Sequence, residues 1–288
     1  MAYIIILFSF LIWMIILIRK RKYSWHTLVT AYVIGFYLVD LLEIFFNQLL
    51  GVYKFPMYLL QDPLDDNQLG IIFVDGFILP IGFIIFSHYI KKGNHWKMSY
   101  IFAMFLSILE WIIYKLKYLI YINWELAHSI AIYALGFRAG AHMADRIVSY
   151  DPPIPYPVRL YCFSYAAIAW VGALFGWPVL KLLQFRIGLF NSIMADDRFV
   201  DLYSGMALSL ICALMVPRAS RRMKPVMLAI VACIGTAFAV YFNFRGWLIY
   251  HHWNNLLTAI RYIISFALIM WYDRWESSYM PKRFLFEL

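Results

Sequence analysis

Charge is what this sequence has least of. Only 14% of its 288 residues are Asp, Glu, Lys or Arg, where a soluble domain carries about a quarter. So few charges cannot coat a chain that is 64% hydrophobic and 20% aromatic, so its main solvent is a bilayer. Cysteine is scarce too. Cys162, Cys212 and Cys233 fall inside apolar runs and read as small core or lipid-facing residues, with no disulfide framework and no metal site. The phosphate-binding P-loop, the Gly-x-Ser-x-Gly elbow, the His-Glu-x-x-His helix and the dinucleotide fingerprint are all missing. The common serine and zinc hydrolases are therefore unsupported, the balance leans away from an enzyme, and no cofactor is called for.

The basic excess, a formal +9, sits in short clusters between apolar runs, where it orients helices and does not bind nucleic acid. Apolar runs long enough for a helix to cross hydrocarbon occur at 2–18, 26–50, 70–90, 97–116, 119–141, 158–182, 199–217, 225–244 and 248–271. None alternates as barrel strands do, so the expectation is an all-α integral membrane protein of about nine transmembrane helices. The first run has its basic residues behind it and no small-residue cleavage site, unlike a secretory signal, and is expected to remain a membrane helix. With the N-terminus outside, sixteen Lys and Arg fall in inner loops and the tail against seven in outer loops. That asymmetry places the C-terminus in the cytoplasm. Segments 51–69 and 181–198 are expected to lie at the membrane surface, the second as a short interfacial helix.

An internal echo divides the chain. "LIYINW" at 119–124 returns as "LIYHHW" at 248–253, and the basic loop "KKGNHWK" at 91–97 falls on "RASRRMK" at 218–224. Two parallel four-helix repeats follow, 23–148 and 160–275, with an N-terminal helix at 1–22, a proline-rich linker at 149–159 and a tail at 276–288. An even number of helices per repeat gives both the same topology, with a pseudo-twofold axis along the membrane normal.

Acids inside membrane runs need a partner or a purpose. The first repeat holds Asp40, Glu43, Asp75, Glu110 and Glu125, with His128 beside the last, and these are expected to converge on one outward-facing polar pocket. Asp40 and Glu43 share a helix face, as do Glu125 and His128. Glu-x-x-His suits a carboxylate-bridged dimetal bundle, but the second copy that site needs is absent, so no metal is expected. Arg261, deep in the last run, is the expected countercharge for Asp40, Glu43 or Glu110. The plainer alternative puts Asp75 among headgroups, pairs Glu110 with Lys115 or Lys117, and gives His128 a hydrogen bond to a neighbouring helix. At the repeat offset the second half has Trp170, Ala173, Ala239 and Asn254 in place of Asp40, Glu43, Glu110 and Glu125.

The segment "ILEWIIYKLKYLIYINWELAHSIAIYALGF" resembles a stretch of an uncharacterised family of small multi-pass membrane proteins from Gram-positive, spore-forming bacteria. Glu110, Trp111, Lys115, Leu116, Tyr121 and Trp124 carry the resemblance, which covers the first repeat. It implies a bacterial cytoplasmic membrane and no known activity. The favoured expectation is a non-catalytic binding, assembly or signalling component whose partners are the lipid bilayer and other membrane proteins. The alternative is a small transporter or membrane-embedded enzyme that handles an amphiphile in the acidic pocket. Nothing in the sequence sets the oligomeric state.

Overall fold

The computed structural model describes residues 2–21, 24–90, 93–149, 154–176 and 179–279. The described chain is helical apart from two short strand pairs. Among the described residues, eight helices are long and apolar enough to cross a membrane: Ala2–Lys20, Trp25–Asn47, Pro63–Tyr89, His95–Lys115, Tyr156–Phe175, Ile193–Met215, Lys224–Phe244 and Asn255–Ser278. Large apolar side chains stand on the outside of these helices; Phe244 is 85% exposed, Trp25 77% and Leu256 70%. Such surfaces are stable where lipid takes the place of water.

The run expected at 119–141 supplies none of the eight. Its first residues form a strand, and the helix begins only at Leu126. Extending to Ser149, that helix takes in Arg138, His142, Asp145 and Arg146, which interrupt its apolar run.

The chain divides into two compact units, Met1–Ile154 and Pro155–Leu288. Within the expected linker, residues 150–153 lie outside the described residues, as do 280–288 of the expected tail.

Unit 1 begins with α1 (Ala2–Arg21) and α2 (Trp25–Glu43), which runs into a π-helical turn at Ile44–Leu49. Strand β1 (Tyr53–Lys54) leads to α3 (Pro63–Ile71), a second π-helical turn at Ile72–Ile78 and α4 (Leu79–Tyr89). Then come α5 (His95–Lys115), β2 (Ile120–Tyr121) and α6 (Leu126–Ser149). Ser24 caps α2 by accepting from the Thr27 amide, and Asp62 caps α3 ahead of Pro63, which is the signature expected of helix starts. Helix α1 packs against α4 and the π-helical turn before it. It is thus part of unit 1, with Tyr3, Phe10 and Leu17 buried.

The core of unit 1 forms where helices come close. A Cβ on Gly35 of α2 would sit 3.0 Å from Phe83, and one on Gly140 of α6 would sit 2.9 Å from the same ring. Two glycines therefore let α2 and α6 close around one phenylalanine of α4. Phe86 packs next to it, edge-on to Phe102 at a centroid distance of 5.2 Å and tilted against Phe137 at 4.7 Å.

Unit 2 carries the order α7 (Tyr156–Phe175), β3 (Leu183–Phe185), α8 (Ile193–Met215), α9 (Lys224–Phe244), β4 (Leu248–Tyr250) and α10 (Asn255–Tyr279). Its helix ends are tied by charge. Arg159 of α7 pairs with Glu276 of α10, and Asp273 of α10 receives Tyr156 and, at 2.7 Å, the Lys224 ammonium of α9.

Each of the segments expected at the membrane surface begins as strand and loop and turns helical only near its end, at Pro63 in 51–69 and at Ile193 in 181–198. The reason is a buried aspartate in each unit. Asp66 accepts the backbone N–H groups of Met57, Tyr58, Leu59 and Leu60 at 2.7–3.0 Å. Asp196 accepts those of Gly188, Leu189 and Phe190 at 2.8–2.9 Å. One residue on, Asn67 takes the Phe55 amide and Asp197 the Phe185 amide. A loop whose donors all point at one carboxylate cannot also make a helix from them.

Asp66→Ala should therefore lower stability by about 3 kcal/mol or more, since each buried donor left without an acceptor costs roughly 1 kcal/mol or more. Asp62→Ala, which removes only a helix cap, should cost about 1 kcal/mol. Reversible unfolding in detergent measures both, and equal losses would show that the loop does not hang on Asp66.

Candidate functional site

Unit 1 encloses a cavity of about 170 Å³. Its wall is mostly aliphatic and aromatic, drawn from α1, α2, α4, α5, α6, both π-helical turns and β1. Two carboxylates break that wall, Glu43 at the end of α2 and Glu110 on α5. They are 6% and 8% exposed, so each needs hydrogen bonds to remain there.

The strand pair supplies them. β1 and β2 run antiparallel with Tyr53 opposite Tyr121. The Tyr53 hydroxyl donates to Glu43 Oε2 at 2.6 Å, and the Tyr121 hydroxyl donates to Glu110 Oε1 at 2.6 Å. Ser129 of α6 donates to the same Glu110 oxygen and itself accepts from the Trp124 indole at 2.7 Å. Burial, and then the carboxylate beside each ring, pushes both tyrosine hydroxyls well above the usual tyrosine range. Both stay protonated at neutral pH and serve as fixed donors.

Only half of each carboxylate is used in this way. Glu43 Oε1 and Glu110 Oε2 are buried without a hydrogen-bond partner. Asn47, one turn along, is placed to donate toward Glu43, and the lining Tyr133 hydroxyl of α6 toward Glu110. Among the described residues, no Lys, Arg or His lines the cavity. The aromatic wall centres on Trp124, whose ring lies 5.2 Å from Phe46 and 5.7 Å from Tyr53.

Of the residues expected in one pocket, the cavity brings together Glu43 and Glu110. Asp75 is 2% exposed on the π-helical turn between α3 and α4, next to the lining residue Val74. Asp40 is half-buried on α2 and does not line the cavity. Glu125 and His128 are exposed at the start of α6, where His128 Nδ1 accepts the Glu125 amide at 3.1 Å; they shape a helix start. Arg261 lies in unit 2, where Asp201 stands 3.2 Å from its guanidinium. Gly172 leaves room for it, since a Cβ there would stand 2.7 Å from its guanidinium. Lys115, expected beside Glu110, lies instead over Trp111 and Tyr114. Among the described residues, no group of three or more His, Cys, Asp or Glu is placed to hold a metal.

Tyr53, Tyr121, Trp124 and Ser129 were not legible as site residues in the sequence. Tyr121 and Trp124 carried a signal, since both belong to the repeated "LIY..W" segment. Unit 2 keeps that wiring: Trp253 Nε1 donates to Thr258 Oγ1 at 2.9 Å, and Tyr250 meets the same hydroxyl at 2.9 Å. At the place of Glu110 it has Ala239, buried at 1%.

Comparison with family models, curated proteins and solved structures finds no match for this chain.

Tyr121→Phe should destabilise unit 1 by about 1.5–3 kcal/mol, the usual worth of a hydrogen bond to a charged group. Tyr250→Phe, which breaks a neutral contact in unit 2, should cost about 1 kcal/mol. Unfolding midpoints in micelles measure both, and equal shifts would show that Glu110 adds nothing to the Tyr121 hydroxyl.

Proposed function

We propose that the chain is a non-catalytic binding component of a bacterial cytoplasmic membrane, and that its first unit holds the head of an amphiphile in the cavity between Glu43 and Glu110. The observation that carries this reading is the pair of buried carboxylates on one apolar wall, each with an oxygen left over. Protein interiors satisfy buried polar groups, and charges within a membrane mark ligand or ion paths by default. Two π-helical turns border the site, at Ile44–Leu49 and Ile72–Ile78, and contribute Phe46, Val74 and Ile78 to its wall. Such turns gather at functional sites.

The proposal includes a duplicated architecture. The element order of unit 2 repeats that of unit 1 without α1, and left-handed backbone recurs at matching places. Gly51 matches Lys181, Tyr58 matches Gly188 and Lys117 matches Gly246, each pair 130 or 129 residues apart. One member of every pair is glycine, the residue that adopts this conformation without strain.

It also includes a ninth crossing by α6, with the N-terminus outside and the C-terminus in the cytoplasm. Helix α6 is tied to α5 near both ends, through Ser129 to Glu110 and through Asp145 to His95 at 3.4 Å. A helix that runs back along the whole of a spanning neighbour spans too. The basic-residue asymmetry then sets the orientation.

Transport or chemistry on the same amphiphile is the second reading. What favours it is the placement of both π-helical turns at the site, where a helix can change register.

The chain purified in mild detergent should carry a small amphiphile detectable by mass spectrometry after extraction. Glu125→Gln, outside the cavity, should retain it, and the double variant Glu43→Gln/Glu110→Gln should lose most of it. A wild-type chain with nothing bound, or a double variant that binds undiminished, would overturn the reading.

A further inference from the structure

The cavity wall restricts what head it can hold. Its acceptors and its donors are unequal. Of the lining donors, Tyr3 is used on the Tyr118 carbonyl, Tyr53 on Glu43, Trp124 on Ser129 and Ser129 on Glu110, and the Tyr133 hydroxyl is directed at Glu110 as well. What remains on offer is two acceptor oxygens, Glu43 Oε1 and Glu110 Oε2, each on a side chain more than nine-tenths buried. Among the described lining residues no cation stands against the two carboxyl groups.

We infer that the head this cavity takes is a primary ammonium, carried on an alkyl chain or a single ring. The inference rests on the proposed binding function. An ammonium of the lysine type brings three N–H donors and a positive charge, enough to meet both oxygens in charge-assisted hydrogen bonds, which are about twice as strong as neutral ones. The faces of Trp124, Phe46 and Tyr53 add cation–π attraction. A hydroxyl head brings one donor and no charge. A quaternary ammonium brings charge and no donor, so both oxygens would stay unmet. A carboxylate or phosphate head would be repelled. Size sets the rest: a dry apolar cavity of about 150 Å³ holds one benzene, so this one accommodates the head and the first few carbons, and a longer tail must extend past the rim. Leu42, a lining residue that is 40% exposed, marks such a rim.

Water-soluble probes test this without the complication of micelles. The full chain in lipid nanodiscs is titrated by calorimetry with hexylamine, hexanol, hexyltrimethylammonium and hexanoate at neutral pH. Hexylamine should bind at least about tenfold tighter than hexanol or hexyltrimethylammonium, the least that one charge-assisted hydrogen bond provides, and hexanoate should not bind. Glu43→Gln/Glu110→Gln should bring hexylamine down to the level of hexanol while its melting temperature verifies that it is folded. Glu110→Gln alone, which keeps one carboxylate, should fall between. If hexanol or hexanoate binds as well as hexylamine, the ammonium assignment is wrong and the binding function stands. If none of the four binds to the wild-type chain, the binding function fails and the assignment with it.

Discussion

A carboxylate removed from water costs several kcal/mol unless it is paired or hydrogen-bonded, and unit 1 keeps two of them beside one apolar cavity. The interaction that makes this tolerable is a pair of phenol hydroxyls held opposite one another on two short strands. Tyr53 and Tyr121 are ladder partners, so the position of one fixes the other, and each reaches a different glutamate. The strand pair joins the connection after α2 to the connection after α5. It therefore sets α2 and α5 at the separation that leaves a cavity between Glu43 and Glu110. The loop that follows β1 is in turn gathered by Asp66, so the site depends on a backbone arrangement well outside it.

Unit 2 shows what the same elements do without the acids. It retains the strand pair and the link from Trp253 to Thr258 to Tyr250. It places Leu183 opposite Tyr250, where unit 1 has Tyr53 opposite Tyr121. Offsets of 129 or 130 residues from Tyr53, Glu43 and Glu110 fall on Leu183, Ala173 and Ala239. A place with neither donor nor acceptor leaves no buried polar group unsatisfied. Unit 2 instead buries Arg261 against Asp201 beside Gly172, a closed ion pair where unit 1 leaves acceptor oxygens open.

The helical membrane architecture was legible because apolar run length is a bulk property that tolerates errors of a few residues at either end. Glu43 and Glu110 were legible because a carboxylate in such a run is expensive. What composition could not show is direction. Asp40, three residues from Glu43, Glu125 and His128 share the chemistry of a site residue, and only the turn of a helix or the start of α6 places them off the cavity wall. The pairing of Arg261 with Asp201 joins two separate apolar runs, and no spacing along the chain announces it. The strands were missed because "LIYINW" is apolar enough to extend a helix, whereas Lys117, in left-handed backbone at φ 64°, ends α5 before it. Tyr53 had no sequence signal, since its role exists only once β1 and β2 pair.

The account's central claim is that Glu43 and Glu110 face one cavity with an oxygen each reserved for a ligand. The most direct measurement is a high-resolution electron cryomicroscopy map of the chain in native membrane patches, never exposed to detergent. The account predicts non-protein density within hydrogen-bond distance of both Glu43 Oε1 and Glu110 Oε2, with Tyr53 and Tyr121 still on the opposite oxygens. A map in which the two carboxylates turn toward different surroundings, or in which protein side chains fill the space between them, would contradict it.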